Sequence, residues 1–79
     1  MSEELVLRDI LSRKDPHGYY VIPMKEEALE AVKHYLSRPG VIIVEYNDVI
    51  LLKTRSRSLA DRVARLLARR GLLAVEEEA

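Results

Sequence analysis

The chain has no cysteine, tryptophan, phenylalanine or glutamine, and a single asparagine, Asn47. Without cysteine there is no disulfide framework, no thiolate nucleophile and no cysteine-based zinc site. The three glycines, Gly18, Gly40 and Gly71, stand far apart, which excludes a glycine-rich loop that cradles phosphates. No long apolar run exists either. The longest stretch, 40–52, is broken by Glu45 and Asp48, short of the roughly 18 apolar residues that a membrane span needs. The acidic opening Met1-Ser2-Glu3-Glu4 predicts neither a secretory signal nor a transit peptide, and so a cytoplasmic chain.

What is present suits one small folded domain. The chain has 79 residues, 48% hydrophobic and 33% charged, too apolar for disorder and too short for a second core. Thirteen basic residues balance thirteen acidic ones, so no global charge signature points to a partner. Scarce Asn and Gln beside abundant Arg, Glu, Leu and Val fit a thermophilic composition.

Hydrophobic periods alternate along the chain. Ser2 with Glu3 and Glu4 suits a helix start, and Val6, Leu7, Ile10 and Leu11 share one face of a helix over 3–13. Asp15-Pro16-His17-Gly18 is turn chemistry. Tyr19-Tyr20-Val21-Ile22 predicts a strand, with Pro23 at its end or edge. A second helix over 25–37 carries Leu29, Val32 and Leu36 as its stripe and stops at Arg38-Pro39-Gly40. The β-branched runs 41–46 and 49–54, separated by Asn47-Asp48, predict a tight hairpin. A third helix over 59–70 has Ser58 and Asp61 in capping-box spacing and Gly71 at its close. Residues 72–75 read as a last strand and 76–79 as an acidic tail.

The helix over 1–14 therefore precedes a βαββαβ core over 19–75. That order resembles the ferredoxin-like sandwich, an α+β fold with four antiparallel strands under two helices. The hairpin register places Tyr46 opposite Val49, Val44 opposite Leu51 and Ile42 opposite Lys53 on one side of the sheet. Glu45 opposite Ile50 and Ile43 opposite Leu52 fall on the other. Both sides are mostly aliphatic, and two helices cover only one. The expectation is that the N-terminal helix lies over the second side as a lid, or that a second copy covers it in a homodimer.

Catalytic chemistry finds little support. Nucleophilic catalysis needs a nucleophile, a base and a group that orients the base, and no such motif surrounds the five serines, Thr54, His17 or His34. His17 sits in a turn. His34 shares a helix side with Glu27 and Glu30, a spacing open to a metal ion or to plain solvation. An acylphosphatase-type reading lacks an arginine in a glycine-rich loop after the first strand. The chain reads as non-catalytic, with no metal and no cofactor.

Two features bear on nucleic acid. Tyr19-Tyr20-Val21-Ile22-Pro23-Met24 resembles the first-strand motif of RNA-recognition motifs, where an aromatic stacks on a base. The companion strand, 49–54, has neither the aromatics nor the glycine of that family. Charge placement says more. Residues 53–70 hold seven basic side chains against Asp61 alone, and Arg62, Arg65 and Arg69 form a stripe at helical spacing. Arg55, Arg57 and Ser58 precede them at a helix N-terminus, where anions are favoured. Lys53, Arg55, Arg57, Ser58, Arg62, Arg65 and Arg69 are thus the candidate contacts to an RNA or DNA backbone. The same stripe is also compatible with internal pairing, Asp61 to Arg65 first. The sequence supports a nucleic-acid-associated protein, or a protein-interaction module that is homodimeric through its sheet face or N-terminal helix; a third reading, a small-ligand-binding regulatory domain, has no ligand-specific residues behind it. No membrane contact is expected.

Overall fold

In the computed structural model, which describes residues 3–74, three helices lie along one side of a three-stranded antiparallel sheet. The elements are α1 (Glu3–Ser12), β1 (Tyr20–Lys25), α2 (Ala28–Leu36), β2 (Ile42–Tyr46), β3 (Val49–Thr54) and α3 (Arg57–Arg69). Strand order is β1-β3-β2. No helix among the described residues is long and apolar enough to cross a membrane.

Strand alternation decides which side is buried. On β1, Tyr20, Ile22 and Met24 are buried, and their register partners Thr54, Leu52 and Ile50 on β3 are buried with them. That side meets the helices. α3 turns Leu59, Ala60, Val63, Ala64 and Leu67 inward, packing on β1 and β3. α2 contributes Ala28 and Val32. α1 adds Leu7, Ile10 and Leu11 to the same core.

The expected lid does not form. α1 packs against α3 and β1, as a third member of the helix layer. The reason is its own stripe: Leu7, 1% exposed, finds in the helix layer a groove that already holds buried neighbours. The second side of the sheet is left without a helix.

Several boundaries differ from the sequence expectation. β1 runs through Pro23 to Lys25 and begins at Tyr20. The Lys25 N–H donates to the Leu72 carbonyl at 2.9 Å and the Ala74 N–H to the Pro23 carbonyl at 3.0 Å. Residues 23 and 25 therefore direct their backbone groups away from β3, so the N–H that proline lacks costs the β1–β3 ladder nothing. It does cost the pairing on the other side. Residues 72–74 make only a single bridge, Met24 with Leu73, in place of the predicted strand over 72–75. Val75, the acidic tail and the Ser2 cap lie outside the described residues.

α2 starts at Ala28 because Lys25 belongs to β1 and residues 26–27 turn the chain. α3 starts two residues earlier than expected. Ser56, in an extended conformation, is its N-cap, and its Oγ accepts from the Leu59 N–H at 3.2 Å. Ser58 Oγ lies 3.1 Å from Ser56 Oγ, and Asp61 turns to Arg65, so the capping box of Ser58 and Asp61 does not form.

The hairpin has the expected register, from Ile42 opposite Lys53 to Tyr46 opposite Val49. Asn47 has φ 55° and is the one non-glycine residue with positive φ among the described residues. Asp48 does not share that sign, so the turn is not type I′, in which both central residues would. Asn47→Gly is expected to leave stability unchanged or slightly raised, and Asn47→Val to cost about 1–2 kcal/mol, since a β-branched residue resists this conformation. Thermal unfolding followed by circular dichroism compares them; coincident midpoints would show that the backbone strain is absent.

Candidate functional site

The seven basic-region candidates do not form one surface. Lys53 projects on the side of the sheet opposite the helices, where its Nζ donates to Asp15 Oδ2 at 3.2 Å. Both side chains are largely shielded, 25% and 12% exposed. Asp15 is the organiser of the α1–β1 loop: its Oδ1 accepts from the backbone N–H groups of His17 and Tyr19, each at 2.9 Å. The Tyr19 N–H above all, with Lys53 and the His17 N–H, holds the Asp15 carboxyl below its ordinary pKa against the opposing effect of burial. Arg55 stands over the Tyr19 ring, 4.7 Å from its centroid, and donates to the His17 carbonyl at 3.4 Å. These contacts engage Lys53 and Arg55 at the rim of the sheet.

The remaining candidates lie on α3. Arg65 is bound on two sides, its Nε to Asp61 at 3.0 Å and its Nη1 to Glu4 of α1 at 3.2 Å. Asp61 first, then Glu4, raises the Arg65 pKa further above its ordinary value. Arg65 thus ties α1 to α3. Arg57, Ser58, Arg62 and Arg69 are exposed, on or beside the side of α3 that faces away from the core. Arg57 and Arg62 have no carboxylate partner among the described residues. Arg57 also borders a groove of about 280 Å³ between α1 and α3, shared with Arg8 and the Arg65 network.

The opposite side of the molecule is of another kind. Val21, Pro23, Val49 and Leu51 are half-buried there, flanked by the exposed Ile42, Val44 and Tyr46 of β2. Tyr46 is 67% exposed. β2 is an edge strand, and all five of its residues are exposed, because no helix packs closely on it. Its helix-side residues are Ile43 and Glu45; its open-side residues are Ile42, Val44 and Tyr46. The helix-free face is thus a continuous apolar surface spanning three strands. Two cations lie at its ends: Lys53 of β3, paired with Asp15, and Lys25 of β1, exposed opposite Val49.

Neither His34 nor Glu30 is part of a cluster. Glu30 pairs with Lys33 at 3.3 Å, and the His34 ring lies 4.7 Å from that of Tyr35. No group of three His, Asp or Glu side chains that could hold a metal ion occurs among the described residues. The tyrosines of the Tyr19–Met24 segment are occupied: Tyr20 is in the core, and Tyr19 lies under Arg55. The exposed aromatic of the open face is Tyr46, which the sequence reading did not single out. Its signal was the hairpin register, which puts residue 46 at the turn end of a helix-free face.

Comparison with protein families, with characterised proteins and with solved structures found no match. The protein is a small α+β layer structure with a one-sided sheet, and its functional reading rests on the two surfaces just described.

Proposed function

We propose that the protein is a non-catalytic interaction module that docks another protein chain through the open face of its sheet. The observation that carries this reading is the exposure of Ile42, Val44 and Tyr46 beside Val21, Pro23, Val49 and Leu51, on a face with no helix over it. Contiguous apolar surface of this kind is unfavourable in water unless something covers it. Tyrosine at such a site is a common anchor of protein interfaces. The module has ferredoxin-like topology in this reading. Support for it comes from residues 72–74, which bond to the free edge of β1 and so extend the order to four segments: 72–74, β1, β3, β2.

A photo-reactive amino acid at position 46, irradiated in the cells that make the protein, tests the reading. The expected result is a protease-sensitive adduct that Val44→Lys abolishes. No adduct at 46, with a nuclease-sensitive adduct at 62, would replace this reading by the second one.

The second reading is contact of the outer side of α3 with a nucleic-acid backbone, favoured by the exposure of Arg57, Arg62 and Arg69. Lys53 and Arg65 contribute less to it because they are ion-paired, and Arg55 because it is held over the Tyr19 ring. Two to three neutralised phosphates correspond to a log–log salt slope of about −2 to −3 for duplex DNA. Replacing Arg62 and Arg69 together by Ala then flattens the slope by about two units with folding intact, as measured by fluorescence anisotropy across a salt series. A slope indifferent to both substitutions refutes this reading.

A further inference from the structure

We infer that the groove between α1 and α3 binds a small organic phosphate monoester, whose phosphate is held between Arg8 of α1 and Arg57 of α3. The site lies in the helix layer, away from the open sheet face, and its occupancy is independent of docking there.

Two helical stripes build the groove. Glu4, Leu7, Arg8 and Leu11 fall at i, i+3, i+4 and i+7 on α1, and Arg57, Asp61 and Arg65 at i, i+4 and i+8 on α3. Residues so spaced share one helix face. Each helix has an ion pair available within itself at spacing four, Glu4 with Arg8 and Asp61 with Arg57. Neither pair forms. Arg65 takes both carboxylates instead: its Nε donates to the two oxygens of Asp61 at 3.0 and 3.1 Å, and its Nη1 to Glu4 at 3.2 Å. Arg8 and Arg57 are left exposed on the same groove, with no carboxylate partner among the described residues. Ser12, also at the groove, is already engaged, its Oγ donating to the Asp9 carbonyl at 2.9 Å.

The ligand class follows from what the two arginines can grip. A guanidinium is a planar fork of N–H donors with no acceptor, so it selects an anion. A carboxylate has two oxygens in one plane, which a single fork fills. A phosphate monoester has three terminal oxygens in a tetrahedral array and a charge of about −1.5 to −2 at pH 7. It can accept from two forks on two walls at once. Three cations against two anions line the groove, and both anions are turned to Arg65. The size of the ligand is bounded as well. At about 280 Å³, the groove lies near the lower end of the roughly 300–1,000 Å³ of small-molecule sites. Leu7 and Leu11, both buried, give it an apolar floor. A compact apolar body on the ester covers that floor, whereas free phosphate leaves it wet.

Titration of the full chain with phenyl phosphate reads the site, followed by NMR at the arginine Nε–Hε groups in low salt. At about pH 8 the ester is a dianion, its second pKa being about 6. The expected result is saturable binding with Kd on the order of 0.1–1 mM, as suits a shallow, solvated site, and shifts at Arg8 and Arg57. Arg8→Gln and Arg57→Gln are each expected to raise Kd about tenfold, the loss of one charged hydrogen-bonding partner, with the melting temperature unchanged. Arg62→Gln, exposed on α3 but outside the groove, is expected to change nothing. Arg8→Lys keeps the charge and loses the fork, so it weakens binding too and repeats the test should Arg8→Gln disturb folding. Inorganic phosphate and benzoate are each expected to bind about fivefold more weakly than phenyl phosphate, one lacking the apolar body and the other the third oxygen. No saturable binding up to about 10 mM ester overturns the inference. Equal weakening by Arg62→Gln does so as well, and would mean diffuse attraction of phosphate along α3, as a nucleic-acid backbone would feel it. Benzoate or inorganic phosphate binding as tightly as phenyl phosphate overturns the phosphate ester as the ligand.

Discussion

Leu7→Asp is expected to leave the protein unfolded at 25 °C, whereas Leu5→Asp is expected to change its stability by under about 1 kcal/mol. The two leucines sit on one helix two residues apart, yet Leu7 is 1% exposed and Leu5 is 52% exposed. Successive positions two apart on a helix point to different sides, and here one side is the core. A carboxylate at Leu7 would sit among Ile10, Leu11 and the α3 stripe, and of the arginines that border the groove beside it Arg65 is already paired while Arg8 and Arg57 are solvent-exposed. The penalty for an isolated buried charge exceeds several kcal/mol. At about 0.05–0.15 kcal/mol per residue, 79 residues hold a total stability on the order of 4–12 kcal/mol. One such substitution is enough to consume it. Far-ultraviolet circular dichroism and a urea titration report the result. If Leu7→Asp unfolds no more readily than Leu5→Asp, α1 is an appendage, and its place in the helix layer is wrong.

Leu52→Ala is expected to lower the unfolding free energy by about 3–4 kcal/mol, against about 1 kcal/mol for Leu51→Ala. Both residues lie on the central strand β3, one after the other, and truncation removes the same atoms from each. Leu52 is fully buried on the helix side, between Ile22 on β1 and Ile43 on β2. Leu51 is half-buried on the open side, opposite Pro23 and Val44. The removal of side-chain atoms at Leu52 leaves a cavity that a close-packed core of this size refills only in part. At Leu51 water takes up the space. Denaturant midpoints compare the two variants. Equal losses would mean that the two sides of the sheet are equally buried, and the docking surface would disappear with the difference.

The local parts of the architecture were legible in residue chemistry. The hairpin follows from two β-branched runs around Asn47-Asp48, and its register, Val44 opposite Leu51, is the one observed. The pairing of Asp61 with Arg65 follows from i, i+4 spacing alone. The start of α3 was not legible to the residue, since Ser56 and Ser58 are both competent caps. Thr54 helps to decide between them: its Oγ1, buried at the end of β3, accepts the Ser56 N–H at 3.1 Å and shapes the turn one step earlier. Pro23 fits the edge position that a strand proline signals, since β1 is an outer strand of the three-stranded sheet. Only the direction of its neighbours' hydrogen bonds shows that its missing donor faces the short 72–74 segment.

The sequence by itself determined a small α+β architecture with three helices, a tight hairpin and a sheet aliphatic on both sides, because those features follow from periodicity and turn chemistry within a few residues. The candidate basic stripe was equally plain as a pattern. Which arginines remain outward and which side of the sheet remains open were decided by tertiary structure alone. Glu4 and Arg65 are 61 residues apart, as Lys53 and Asp15 are 38 apart, and no local period carries such pairings. The placement of α1 has the same origin. Its apolar stripe is satisfied by any apolar groove, and the groove beside α3 already held buried neighbours. The open sheet face offered a flat, solvated alternative.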